Sequence, residues 1–270
     1  MNRIIKGVVK RGLLPVVSSS LLQPVFRLAH RCALAGMNIG IGSDVESSGE
    51  RYAQKYVSNL LLDRDALVIF DVGANVGAWT RSAIDIFPSN AEFHCFEPSG
   101  ATCQLLSANL AGIGSRLMIH NIGVGEVQGE LTLYRPEQSS IASLYRRPGY
   151  QSMGGGPLVA EKVIIRRIDS VCREAQILHI DYLKMDIEGH EISALKGCGE
   201  MLSEGAISVI QFEFGGCNID SRTYFRDFWD LLSPNYRIYR LLARQLYEVV
   251  EYQEWMEQFS TTNYLAVFRK

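Results

Sequence analysis

The stretch Leu67-Val68-Ile69-Phe70-Asp71-Val72-Gly73-Ala74-Asn75-Val76-Gly77 decides the fold. Four consecutive apolar residues predict a strand buried on both faces, as in a parallel sheet covered by helices. An acid and two glycines follow, and Ala78 to Phe87 can then run as a helix that Pro88 stops. Glycines at the end of such a strand let a ligand approach bare backbone N–H groups. The spacing is Asp-x-Gly-x-x-x-Gly, whereas a dinucleotide-binding turn usually shows Gly-x-Gly-x-x-Gly.

The difference has a chemical meaning. A carboxylate at the strand end, Asp71, repels a pyrophosphate but suits a ligand with an ammonium group, and S-adenosylmethionine is such a ligand. Ala91 to Glu97 predicts the next strand, ending on a carboxylate placed to accept both hydroxyls of a ribose. Pro98 ends that strand, and Ser99 can cap a helix running to about Leu110. A third strand is expected over Arg116 to Ile122, before Gly123 and Gly125.

Length and composition set the bounds. A chain of 270 residues can bury the core of one α/β domain with an extension. Its net charge of -2 gives no case for nucleic-acid binding. The six cysteines include no Cys-x-x-Cys pair, which points to reduced, buried thiols and a cytoplasmic protein. The amino-terminal segment differs from the rest: Arg3, Lys6, Lys10, Arg11, Arg27 and Arg31 precede the first acid, Asp44, with apolar residues among them. No run approaches the roughly twenty apolar residues of a membrane span. Residues 1–48 are therefore expected as a helical extension, either a pair of helices docked on the domain or a basic amphipathic segment in peripheral contact with the inner membrane surface. Docking is the favoured of the two.

Further along, Glu130 to Tyr134 reads as one arm of a hairpin, and Val163 to Ile168 as a strand whose Asp169 caps a short helix. Between them Arg135 to Leu158 is long and rich in Ser, Gly and Arg, a candidate substrate lid carrying Ser139, Ser140, Ser143, Tyr145, Arg146, Arg147 and Tyr150. The second informative stretch is Ile180-Asp181-Tyr182-Leu183-Lys184-Met185-Asp186-Ile187-Glu188-Gly189-His190-Glu191, a strand that turns into a helix with carboxylates crowded at the turn. Ile207 to Phe214 predicts another buried strand; the tail adds a helix near Arg222 to Leu232 and strands near Tyr236 to Leu242, Gln245 to Val250 and Tyr264 to Arg269. The sum is an α/β fold: a Rossmann-like, doubly wound sheet, mostly parallel with an antiparallel edge.

Asp-Val-Gly-Ala-Asn-Val-Gly (71–77), Phe-Glu-Pro (96–98), Ile-Asp-Ser (168–170) and Leu-Lys-Met-Asp-Ile-Glu-Gly-His-Glu (183–191) resemble the FkbM-type methyltransferases. The resemblance covers residues 49–270 and implies a class I methyltransferase domain that uses S-adenosyl-L-methionine to methylate hydroxyls of sugars, polyketides and related compounds. It would place Asp71, Gly73, Asn75 and Gly77 around the methionine part of the cofactor, Glu97 on the ribose, and Asn121 and Gly123 beside the adenine. His190 stands where that family often has a small residue, so no role for it is carried over.

Methyl transfer to a hydroxyl asks the protein for positioning and for proton removal. Asp186, Glu188 and His190 are the candidate catalytic groups and would share one face if strand geometry ran on through Gly189. Asp186 is expected at the mouth of the site and Glu188 as base or hydrogen-bond acceptor, while Glu191 favours the start of the following helix. Lys184 is expected to pair with an acid. No metal is expected, because no second cluster of ligands stands elsewhere. The alternatives are a cofactor-binding relative without activity and a nicotinamide-dependent oxidoreductase. The partner is a small-molecule or glycan acceptor; its identity and the oligomeric state stay open.

Overall fold

The computed structural model describes residues 18–41, 45, 47–137, 141–147 and 157–269. The elements are α1 (Gln23–Gly36), α2 (Glu50–Leu60), β1 (Leu67–Val72), α3 (Ala78–Ile84), β2 (Ala91–Phe96), α4 (Gly100–Asn109), β3 (Leu117–His120), β4 (Gly123–Val124), β5 (Gly129–Pro136), β6 (Leu158–Arg166), α5 (Ile168–Ala175), β7 (Ile180–Met185), α6 (Glu191–Lys196), α7 (Gly199–Ser203), β8 (Ile207–Phe214), α8 (Cys217–Ser221), α9 (Phe225–Leu232), β9 (Tyr236–Leu242), β10 (Gln245–Val249) and β11 (Thr262–Phe268). The main sheet has the order β10-β9-β11-β8-β7-β1-β2-β3. Strands β3, β2, β1, β7 and β8 are parallel; β11 runs antiparallel between β8 and β9, and β10 antiparallel to β9.

Apolar residues on both faces of the central strands make both faces cores. One face packs Phe70, Leu183, Ile210 and Phe212 beneath α5, α6, α7 and α9. The other packs Ile69, Tyr182 and Val209 beneath α2 and α3, through Ala53, Val57, Trp79 and Ala83. Chain order reverses beside β1, with β2 on one side and β7 on the other. In open α/β sheets ligands bind at that switch point, outside the carboxyl ends of the strands.

The glycine turn closes this point by tight packing. Gly77 has φ +89°, and a Cβ there would sit 2.9 Å from Leu106 Cδ1 of α4. Gly73 has φ +79°, and a Cβ there would run into the carbonyl oxygen of Asp186. The two sequence motifs thus touch backbone to backbone. Beneath them lies a buried charge pair. Asp71 and Lys184 are register partners on β1 and β7, 3.1 Å apart, with the side chains 0% and 4% exposed. Thr80 Oγ1 of α3 donates to the other Asp71 oxygen at 2.5 Å. Burial alone would lower the Lys184 ammonium, but Asp71, Asp186 and Glu50 outweigh it and hold the ammonium above its ordinary value.

A second sheet, β4-β6-β5, stands over the carboxyl ends of the first. It is longer than expected: β5 reaches Pro136 and β6 starts at Leu158, so the connecting segment spans 137–157. Of the candidate lid residues, Ser139, Ser140 and Tyr150 lie outside the described residues. Asp169 does not cap its own helix. Arg167 is the N-cap of α5, and the Asp169 carboxylate accepts instead from the N–H groups of Glu200 and Met201 at the start of α7, both at 3.2 Å.

The amino-terminal extension also differs from expectation. α1 buries none of its residues, so it is not docked, and residues 1–17 lie outside the described residues. Cys95, Cys103, Cys172, Cys198 and Cys217 are buried free thiols; Cys32 on α1 is exposed.

Lys184→Met leaves Asp71 buried without its cation and is expected to cost about 3–5 kcal/mol. Adding Asp71→Asn, which keeps the acceptor for Thr80, should recover most of that loss. Urea titrations of the single and double variants check both values.

Candidate active site

A cleft opens where the carboxyl ends of β1, β2 and β7 meet the small sheet. Gly73, Asn75, Glu97, Gly123, Asp186, Glu188 and His190 all line it, with the Gly73 turn packed against the Asp186 backbone. Leu133, Ile141, Ala142 and Leu144 from the small sheet and its loop form an apolar roof over Val72, Phe96 and Ile122.

Glu97 is 6% exposed, and both of its oxygens are engaged: Oε1 accepts from Ser99 N at 2.9 Å and Oε2 from Asn75 N at 3.1 Å. Burial raises its carboxyl to about 7, against the lowering effect of those two N–H groups. A carboxylate offers about four lone-pair positions, so two remain for hydroxyls in the cleft. Next to it, Asn75 Oδ1 is buried without a partner, and Asn75 itself holds a left-handed φ of +49°. A buried orphan acceptor is costly and suits a site that a donor from a ligand completes.

Four N–H groups of the glycine turn are spent inside the protein. Gly73 N and Ala74 N both donate to Phe96 O at 3.0 Å, Asn75 N is taken by Glu97, and Gly77 N donates to Ala74 O at 2.8 Å. The start of α4 is occupied too: Glu161 from β6 accepts from Gly100 N and Ser99 Oγ, both at 2.9 Å. Two carboxylates, Glu97 and Glu161, stand at that helix start and disfavour a phosphate there.

Three residues of the expected cofactor set do not line the cleft. Asp71 is locked into its pair with Lys184, Gly77 serves the packing of α3 on α4, and Asn121 works from behind. Its amide donates to the carbonyls of Glu97 and Pro98 at 2.9 and 3.0 Å, holding the chain that presents Glu97.

After β7, strand geometry stops at Met185. Glu188 and Gly189 adopt φ of +52° and +100°, and the turn they form brings Asp186, Glu188 and His190 to one cleft in place of the shared strand face that was expected. Glu191 makes that turn possible: its buried Oε1 accepts from Ile187 N at 2.8 Å and Gly189 N at 3.3 Å. Burial raises Glu191 to about 8, against those N–H groups, so it is neutral at physiological pH. Asp186 is the open carboxylate, 41% exposed and 3.8 Å from Lys184 Nζ. Glu188 is ion-paired with Arg147, whose guanidinium also meets Asp220 at 3.4 Å. His190 is 8% exposed, and burial lowers it to about 4, which leaves a neutral imidazole whose Nδ1 lies 3.0 Å from the Tyr145 hydroxyl. Ser143 donates to the Glu188 carbonyl at 2.8 Å, so residues 141–147 strap the Glu188 turn. Among the described residues no group of three or more His, Cys, Asp or Glu is arranged to hold a metal ion. No described helix is long and apolar enough to cross a membrane.

The sheet order, the glycine turn and Glu97 in the cleft define a class I methyltransferase fold. A model of the "Methyltransferase FkbM domain" matches residues 71–245, and the chain belongs to that family, whose cofactor is S-adenosyl-L-methionine. Curated relatives include the 2-O-methyltransferase NoeI of Sinorhizobium fredii, 26% identical over 156 residues, or 53% of this chain. The AMB antimetabolite synthetase AmbE of Pseudomonas aeruginosa is 26% identical over 182 residues, 56% of this chain. The chain spans 62% of the length of NoeI and 8% of AmbE. Among solved structures, an O-methyltransferase from Bacillus cereus in complex with SAH has 11% identity and a TM-score of 0.44, with 98% of this chain and 96% of that one covered.

Sequence reasoning missed Glu161 and the roof, because a carboxylate on a distant strand leaves no local signature. Of the segment expected as a substrate lid, residues 141–147 contact Glu188 and His190. Cofactor binding should follow the ionisation of Glu97: only the carboxylate accepts two hydroxyls, so affinity for the demethylated cofactor falls as pH drops below about 7. The limit is about tenfold per pH unit. Calorimetry from pH 5.5 to 8 checks this, and Glu97→Gln should bind more weakly and flatten the profile.

Proposed function

We propose that this protein transfers a methyl group from S-adenosylmethionine to a hydroxyl of a saccharide or another hydroxylated natural product. The observation that carries the proposal is one cleft lined by two chemically different sets of groups. Glu97, with two acceptor positions to spare, and Asn75, with an orphan oxygen, suit the ribose and polar atoms of the cofactor. The open carboxylate of Asp186 lines the same cleft.

When bound, the cofactor supplies a methyl carbon already activated by its sulfonium. The acceptor oxygen forms its bond to that carbon as the carbon–sulfur bond breaks, and the hydroxyl proton must go to a base. Asp186 is that base in this proposal. Glu188 is engaged by Arg147, and burial lowers the proton affinity of the His190 imidazole. Glu188 and Arg147 instead offer an acceptor and a donor to the other hydroxyls of a polyol. Lys184 lies 3.8 Å from Asp186.

Oxygen as the accepting atom is further supported by NoeI, named as a 2-O-methyltransferase. A nicotinamide-dependent oxidoreductase is disfavoured by the Asp-x-Gly-x-x-x-Gly spacing and by the Gly73, Ala74 and Asn75 N–H groups, which are spent inside the protein.

Calorimetry with the demethylated cofactor, with NAD as the control, tests the cofactor; transfer of labelled methyl to a panel of oligosaccharides and polyols tests the acceptor. Binding of NAD in its place, or transfer to amines alone, would overturn the proposal. Asp186→Asn should lower kcat by about 10²- to 10⁴-fold with cofactor affinity retained. Full turnover in that variant would move the base to Glu188 or His190.

A further inference from the structure

α1 presents its apolar side to solvent. At about 100° per residue, Val25, Phe26, Leu28, Ala29, Cys32 and Ala33 fall on one broad arc, and Gln23, Arg27, His30 and Arg31 on the opposite side. Val25 is 59%, Phe26 45% and Leu28 62% exposed, and Leu21 just before the helix 86%. An apolar face beside a basic one, with none of the described residues packed over it, is the pattern of a helix lying in a membrane interface.

The helix is mounted at a defined place. Its carboxyl end leads into Asn38, with φ +58°, whose amide donates to the carbonyls of Ser48 and Leu241 at 3.1 and 3.0 Å. Ile39 is buried, and Gly40 N donates to Thr261 O at 2.8 Å. Leu241 lies at the end of β9, and Thr262 pairs with Phe214 at the end of β8. That edge of the sheet is the one onto which the cleft opens, where β1 and β7 also end.

We propose that α1 binds the surface of a bilayer containing anionic phospholipid and so brings the cleft's edge of the sheet to that surface. Charge favours this occupant. Six Lys and Arg residues and no acid precede Asp44, and each basic residue near an anionic surface contributes about 1 kcal/mol, or roughly fivefold in affinity. A second copy of the chain would bring two such cationic segments together with no acid among them. Such a surface would present hydroxylated acceptors anchored in the membrane to the site. Surface binding itself does not depend on the acceptor or on the reaction.

The test is flotation of the full chain with vesicles of phosphatidylcholine, with and without phosphatidylglycerol, in the absence of acceptor. Wild type should float with the anionic vesicles and be released by raised salt. Val25→Asp with Leu28→Asp should lower partition at least about tenfold, and Arg27→Glu with Arg31→Glu by a comparable factor. Unchanged affinity for the demethylated cofactor in both variants shows that the domain is still folded. The proposal is overturned if wild type stays in solution, if it binds neutral vesicles equally well, or if the variants bind like wild type. It is overturned too if light scattering shows a dimer that Val25→Asp with Leu28→Asp dissociates, since the second copy would then be the occupant.

Discussion

The ion pair between Asp71 and Lys184 holds together the two halves of the site. It joins β1 to β7 at the point where the sheet reverses, directly beneath both motifs. A buried pair is weak evidence for stability, because desolvating two charges costs about what their attraction returns. Its effect is on register. A slip of either strand would leave a carboxylate or an ammonium alone in the core, so the pair selects the one alignment in which Gly73 meets the Asp186 backbone. Without that alignment Glu97 and Asp186 would not face one cavity.

The same pair keeps Asp71 out of the cleft lining. The carboxylate that distinguishes this turn from a phosphate-binding one is turned inward, and its influence reaches the cleft through Lys184, which lies between Asp71 and Asp186. Phe96 and Glu97 also take the N–H groups of Gly73, Ala74 and Asn75. Hydrogen bonds made inside the protein thus add to the discrimination against phosphate inferred from the charge of Asp71. On the second strand, Glu97 is fixed by two backbone N–H groups and still has acceptor positions to spare.

The main sheet was legible in the sequence because its central strands are buried on both faces and read as apolar runs ended by acids or glycines. Leu67–Val72 and Ile207–Phe214 show this directly. What stayed hidden depends on partners far apart along the chain. Asp169 looks like a local cap but binds the start of α7, about thirty residues on. Glu161 reaches back to α4 from another sheet. The turn after Met185 was misread for a different reason: alternation over Asp186, Glu188 and His190 suits a strand, whereas the buried carboxyl of Glu191 folds those residues into a left-handed turn. Alternation cannot distinguish the two, because both place the three side chains on one side.

Burial governs the chemistry of the cleft. It raises Glu97 and Glu191 and lowers His190, in each case as the largest cause. A medium that penalises isolated charge in this way favours a reaction in which charge disappears. A sulfonium and an oxygen giving up its proton end as a neutral sulfide and a neutral ether, so a poorly solvating cleft lowers the barrier relative to water. Asp186 is partly exposed and faces Lys184, and in the proposed reaction it takes the proton. The strap from Ile141 to Arg147 pins Glu188 and His190 and adds apolar side chains to the roof of the cleft.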